Sequence, residues 1–267
     1  MQPDRRFARQ AAARTGLGLK FVAKDMTLTK ALKRLGGILH EGFVLKGGTA
    51  IARAGYLDTP RFSEDVDLDV YTDAGLRDIG SDVESLLDGL EAFDVSGPRY
   101  QPKGIRFDAR FDNPFGDRDR IRIEVSPRPL GLLEEVDARG TLLQSPFTGG
   151  EACLLRCYPK EGLFARKVHA LSGRRDGKDV FDLRGLWRGG ISVGDAVIAL
   201  ERYSAMEGLS HGGMLDAARG NLEAMARDTW TVANAANHFI PRSGRPDWGA
   251  LIEEVGTLLS LLSAAPS

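Results

Sequence analysis

Cysteine is nearly absent from this chain: Cys153 and Cys157 are the only two in 267 residues. That is too few for a disulfide framework or a complete zinc site, and the pair, four apart, is read as two buried thiols on a helix. The four histidines, His40, His169, His211 and His238, are too scattered to suggest a metal centre, with His169 flanking Lys167. No uninterrupted apolar run approaches the roughly 18 residues that a membrane span needs. The opening Met1-Gln2-Pro3-Asp4-Arg5-Arg6 lacks the apolar stretch of a signal peptide, so the expected compartment is cytoplasmic. Neither sign of charge dominates: the formal net charge is −1, and global electrostatics call for no nucleic-acid partner, although basic residues gather between Arg156 and Arg188. What remains, 42% hydrophobic and 27% charged residues, describes an ordinary globular protein long enough for one large domain or two modest ones.

The first forty residues read as helix. Arg5 to Thr15 is polar and Ala-rich, and Phe21, Met26, Leu28, Leu32, Leu35 and Ile38 recur at helical spacing up to Gly36-Gly37. Phe43-Val44-Leu45 reads as a short strand, followed by the turn Gly47-Gly48-Thr49 and a helix over Ala50 to Tyr56. From Phe62 to Tyr71 residues alternate, with Val66, Leu68 and Val70 on one side and Asp65, Asp67 and Asp69 on the other, the period of a half-buried strand. Asp82 to Phe93 reads as an amphipathic helix, and Arg106 to Phe111 and Arg120 to Pro127 as two strands. After about Thr148 the strand signal fades, and Glu151 to Leu171, Asp179 to Arg188, Val193 to Met206, Met214 to Ala236 and Trp248 to Leu262 favour helix. The final Ala264-Ala265-Pro266-Ser267 reads as a frayed end. The expectation is a strand-bearing domain over residues 1–148 and a helical domain over 149–267.

Carboxylates at i and i+2 on one strand lie on the same side, roughly 7 Å apart at Cα, so Asp65 and Asp67 can converge on a hard cation such as Mg²⁺. Glu124, on the polar face of a second strand, supplies a third carboxylate. Three acids can hold two metal ions of the kind that stabilise attacking and leaving oxygens in nucleotidyl transfer. The turn at Gly47-Gly48-Thr49 offers a seat for phosphates, because glycines let backbone N–H groups approach closely and Thr49 adds a hydroxyl at the start of a helix. Each half has a plainer reading, a tight turn and a solvated strand face. A calcium loop is excluded, since Val70 stands where that motif needs glycine, and a Walker P-loop is excluded because Lys46 precedes the glycines.

Leu45-Lys46-Gly47-Gly48-Thr49-Ala50 followed by Arg61-Phe62-Ser63-Glu64-Asp65-Val66-Asp67-Leu68 resembles the AbiEii/AbiGii toxin family of nucleotidyltransferases, which includes the MenT toxins of mycobacteria and belongs to the DNA polymerase β-like superfamily. Val22-Ala23-Lys24-Asp25 is similar to the family's leading Lys-Asp segment. Leu163-Phe164-Ala165-Arg166-Lys167 and Lys178-Asp179-Val180-Phe181-Asp182-Leu183 are similar to its later motifs. The resemblance covers roughly residues 20–190. It implies an α+β fold: a polymerase-β-like nucleotidyltransferase domain with a mixed sheet flanked by helices, then a helical C-terminal domain contributing Lys167 and Asp179 to a cleft. It further implies that Gly47, Gly48 and Thr49 bind the triphosphate, that Ser63 contacts nucleotide or is modified, and that Asp65 and Asp67 bind metal. By the same resemblance Lys167 neutralises phosphate and Asp179 is an essential late aspartate.

From spacing alone Lys167 reads as a solvated lysine and Asp179 as a helix N-cap. The implied activity is Mg²⁺-dependent transfer of NMP from an NTP to an RNA acceptor, such as a tRNA 3′ end, by a toxin that has a cognate antitoxin. The basic stretch with Arg166, Arg174, Arg175 and Lys178 suits an RNA backbone or is simply a solvated surface. Two other readings stay open: transfer to a protein or small-molecule hydroxyl, and a non-catalytic nucleotide-binding module.

Overall fold

A computed structural model describes residues 3–90 and 92–265, so the end expected to fray lies partly outside the described residues. The chain forms two compact units, one of Met1–Gly55 and Phe62–Tyr158, the other of Tyr56–Arg61 and Pro159–Ser267.

The first unit is built on seven strands: β1 (Phe43–Lys46), β2 (Val66–Tyr71), β3 (Asp94–Gln101), β4 (Gly104–Asp112), β5 (Arg118–Arg128), β6 (Arg139–Ser145) and β7 (Gly149–Cys157). They lie in the order β3-β4-β5-β2-β1-β7-β6. The sheet is mixed, with β2 parallel to β5, β1 parallel to β7, and every other neighbouring pair antiparallel. Its helices are α1 (Pro3–Thr15), α2 (Leu19–Ile38), α3 (Gly47–Arg53) and α4 (Leu76–Leu87). The alternation read from the sequence is what makes this sheet two-faced. Register aligns Leu45 with Leu68, Leu68 with Val125 and Ile123 with Phe107, all essentially inaccessible to solvent. The other face aligns Lys46 with Asp67, Asp67 with Glu124 and Glu124 with Arg106.

Several local expectations are corrected. Cys153 and Cys157 lie on strand β7, not on a helix, though both are buried free thiols. Burial raises both pKa values, that of Cys157 to about 12. Residues 151–157 carry helix-favouring Glu, Ala, Leu and Arg, but pairing with β1 and β6 overrides that preference. Strand β3, for which the sequence reading gave no element, contains Gly97 and Pro98 and is tolerated as an edge strand with a register shift between Ser96 and Arg99. The helix expected over Asp82 to Phe93 starts earlier and ends at Leu87.

The second unit is helical: α5 (Lys160–Gly173), α6 (Gly177–Arg188), α7 (Val193–Glu207), α8 (His211–Ala226), α9 (Thr229–Ala236) and α10 (Trp248–Ala264). The stretch Met214 to Ala236, expected as one helix, is two, because Asp228 caps a new start through the Thr231 N–H. Segment Tyr56–Arg61 packs in this unit, with Leu57 so close to Gly185 that a Cβ there would collide. Among the described residues no helix is long and apolar enough to cross a membrane.

Candidate active site

The polar face of the sheet brings the expected residues of the first unit together. Asp67 on β2 is half-buried, opposite Lys46 on one side and Glu124 on the other. Gly47 follows β1 at φ +74°, a conformation L side chains adopt only at a cost. A Cβ at Gly47 would collide with the Asp67 carboxylate, so the glycine lets the turn close onto this acid. Asp65 lies just before β2. Burial, together with the negative charges of Asp67 and Glu64, holds its carboxyl above the ordinary carboxylate range against the pull of Arg122 and Lys24. The Arg122 guanidinium stands 3.8 Å from Asp65 and 3.8 Å from Glu124, bridging the two acids. Among the described residues no three His, Cys, Asp or Glu side chains form a ready-made metal cage.

Thr49 is used differently from the sequence reading. Its hydroxyl is fully buried and donates to the Asp65 carbonyl at 2.5 Å, tying α3 to the segment that carries Asp65 rather than facing a phosphate. Ser63, half-buried on that segment, makes no side-chain hydrogen bond among the described residues.

Asp69, expected on the same face as Asp65 and Asp67, is fully buried in a polar network. Lys46 reaches it at 2.5 Å, Arg128 at 3.2 Å, and the Tyr158 hydroxyl donates to it at 2.6 Å. Because that proton is committed, the Tyr71 hydroxyl donates to Tyr158 at 2.6 Å. Lys46 also donates to Ser126. The network clamps β1, β2, β5 and the chain beyond β7 beside the glycine turn, a role the alternation pattern could not reveal. The leading Lys-Asp pair divides its work in the same way. Lys24 bonds Glu64 and Asp119, while buried Asp25 holds Arg53, at the end of α3, at 2.5 Å and accepts from Ser145 and Thr148.

In the second unit Lys167 is buried, not solvated. Its ammonium lies 2.7 Å from Asp179 and 2.8 Å from Asp182. Burial would lower its pKa, but the two aspartates outweigh this and raise it. Asp182 also takes a two-pronged contact from Arg61, at 2.7 and 2.6 Å, and Asp179 takes one from Arg174 at 2.7 and 3.0 Å. Both carboxyls are held below the ordinary range: burial opposes this, and the neighbouring cations prevail. The N-cap of α6 is Asp176, through the Lys178 N–H, and Asp179 sits in the first turn. The residues expected to face RNA have partners inside the unit. Arg166 stacks over Tyr203, Arg174 holds Asp179, Arg175 donates to Asn221, and Lys178 lies over Phe239. His169 bonds the Tyr203 hydroxyl.

Comparison with known proteins agrees with this architecture. The family model described as "Nucleotidyl transferase AbiEii toxin, Type IV TA system" matches residues 30–264. Among solved structures, the nucleotidyltransferase toxin MenT4 of Mycobacterium tuberculosis is similar at a TM-score of 0.63 and 17% identity, over 98% of this chain and 89% of that one. A candidate nucleotidyltransferase from H. pylori is similar at a TM-score of 0.58 and 16% identity, over 92% and 96%. At such identities these likenesses speak to the fold alone. No curated protein matches the sequence. The family match spans most of the chain, and on it the protein belongs to the AbiEii family of nucleotidyltransferase toxins.

Proposed function

We propose that this protein transfers a nucleoside monophosphate from an NTP to an RNA acceptor, a tRNA 3′ end by the family resemblance. In this reading it acts in the cytoplasm with Mg²⁺ as cofactor and an antitoxin as its protein partner. The observation that carries the reading is the placement of Asp67, packed against the Gly47 backbone and in register with Glu124, with Asp65 two residues before it. Family membership supports the nucleotidyl chemistry.

The donor chemistry of the three acids suits a hard divalent cation. Asp65, Asp67 and Glu124 offer only oxygen donors, as Mg²⁺ prefers, and the repulsion that helps raise the Asp65 pKa is what a cation would relieve. When bound, the metal supplies electrophilic stabilisation of charge on the phosphoryl oxygens.

The chain's own residues do the rest. Gly47 and Gly48, at the N-terminal turn of α3, are assigned to the triphosphate through their backbone N–H groups. Thr49 holds the Asp65 carbonyl, so the turn and the acid keep one geometry. Ser63 stands beside the acids as the nucleotide contact. Lys167 and Asp179 remain assigned to catalysis. The shared ammonium of Lys167 keeps Asp179 and Asp182 ionised, and losing either partner removes activity.

The test incubates purified protein with Mg²⁺, each labelled NTP in turn and total tRNA. Label is expected in RNA, and is lost when the divalent metal is chelated or in Asp65→Ala and Asp67→Ala. No transfer with any NTP, or full transfer by Asp65→Ala, sinks the proposal. Label in a protein band moves the acceptor from RNA to protein.

A further inference from the structure

The sheet face that carries Asp67 and Glu124 continues outward along β5 and β4 as a row of arginines. Arg122 lies opposite Asp108, Arg120 opposite Arg110, and Arg118 opposite Asp112. Directly opposed like charges weaken an antiparallel pair, so folding alone does not favour Arg110 against Arg120. Arg110, Arg118 and Arg120 line an open groove of about 500 Å³ together with Asp119. Of the acids nearby, Asp119 pairs with Lys24 at 3.2 Å and Asp94 with Arg118 at 2.7 Å, while Asp112 stands exposed opposite Arg118. The single carboxylate of Asp108 is shared by Arg106, Arg99 and Arg120 at 3.1, 3.3 and 3.6 Å. The Arg110 side chain makes no hydrogen bond or ion pair among the described residues. The Nε atoms of Arg106 and Arg122 are buried without a hydrogen-bond partner. Arg110 and Arg120 therefore face each other on this hairpin with only the shared Asp108 carboxylate, and that at 3.6 Å from Arg120, to offset them.

The arrangement is also directional. Residues on one face of a strand recur roughly every 7 Å, and strands stand roughly 4.8 Å apart, so the charges form a row rather than a single anion pocket. The glycine turn lies on the β1 side of Asp67 and the arginine row on the β5 side. A nucleotide seated at the turn leaves the opposite flank to a second anionic substrate. Guanidinium forks match phosphate geometry.

We infer that the polar face of the β4–β5 hairpin binds the phosphodiester backbone of the RNA acceptor and leads it to the Asp65–Asp67 acids. This rests on the nucleotidyl-transfer reading above and adds the surface that holds the second substrate.

The test measures binding of a short labelled single-stranded RNA and of unfractionated tRNA over a range of salt, for the full chain and for Arg110→Ala/Arg120→Ala. Binding of a labelled NTP is measured alongside. For single strands each phosphate contact contributes about 0.7 to the slope of log K against log salt. The double variant should lower that slope by about 1.4 and weaken RNA binding at least tenfold at low salt, with NTP affinity unchanged. The lysine pair Arg110→Lys/Arg120→Lys should keep the slope. Arg110→Ala alone, which breaks no side-chain hydrogen bond or ion pair among the described residues, should lower it by about 0.7 and serves if the double variant does not fold. Unchanged RNA binding and slope in the variants overturn the inference while leaving nucleotidyl transfer standing. A loss of NTP affinity instead overturns it by assigning the arginines to the nucleotide. Wild-type protein that binds no RNA overturns both the inference and the RNA acceptor.

Discussion

Replacing Gly47 by alanine separates the cost of backbone strain from the cost of a displaced acid. At φ +74° an L residue costs roughly 1–2 kcal/mol relative to glycine. The added methyl also collides with the Asp67 carboxylate. Because the struck atom is the end of a side chain, the carboxylate swings aside and the backbone stays. Gly55 provides the matched control, at φ +72° with open space where a Cβ would stand and no atom within 4 Å of it. Both variants should lose about 1–2 kcal/mol and melt roughly 2–8 °C lower. Only Gly47→Ala should lose rate, on the order of 10²-fold, because a misplacement of about 1 Å in a reacting constellation carries that penalty. Initial rates of label transfer, read beside scanning calorimetry of the same samples, check both halves. A wild-type rate in Gly47→Ala, or an equal loss in Gly55→Ala, refutes the reasoning.

Lys167→Ala should destabilise the helical unit by about 3 kcal/mol in denaturant titration, since it strips a buried cation from two buried carboxylates. Asp179 and Asp182 have depressed pKa values in the folded chain, so their stabilisation is present above the unfolded value of about 4 and is lost as pH falls through the folded values. Lys167 has a raised one, so its contribution is present below about pH 10 and is lost as pH rises through the folded value. Melting followed by circular dichroism should therefore be flat in pH near neutrality and fall at both extremes; a slope near neutrality counts against this cluster. Asp69→Asn should cost about 3–5 kcal/mol by leaving Lys46 and Arg128 uncompensated, whereas Tyr158→Phe should cost about 2–4 kcal/mol, for the hydrogen bond it donates to Asp69 and the one it accepts from Tyr71; urea midpoints measure both, and a larger loss in Tyr158→Phe than in Asp69→Asn would be wrong for this network. Cys153 and Cys157 should resist iodoacetamide at pH 8 in the native protein and react on unfolding, because burial keeps both as thiols; mass spectrometry reads the difference.

The elements most legible in the sequence were those whose signal is local. Strand β1 followed from a short apolar run, β2, β4 and β5 from patterns over a few residues, and helices α6, α7, α10 and the body of α5 from helical spacing. Missed elements had misleading local chemistry. Strand β7 is written in helix-favouring residues, β3 holds a glycine and a proline, and the break between α8 and α9 rests on one capping aspartate. At the candidate site the signals for the glycine turn, Asp65, Asp67 and Glu124 were local ones: two glycines after a short strand, carboxylates at i and i+2, and alternation along a second strand. Asp69 obeyed the same pattern and was misread for that reason.

Sequence by itself determined that this chain carries a turn of glycines followed by an alternating acidic strand, since a glycine's freedom and a strand's period of two need no distant partner. It also carried the family motifs across most of the chain. Only the tertiary structure decided which acids are exposed and which are held. Asp69 is held by a tyrosine 89 positions away and Arg61 by an aspartate 121 positions away, and Lys167, read as a surface charge, is shared between two buried carboxylates. The arginine row likewise exists only when β4 and β5 pair in register. Burial and charge pairing depend on which distant residues meet, and that is a property of the folded chain rather than of any segment in it.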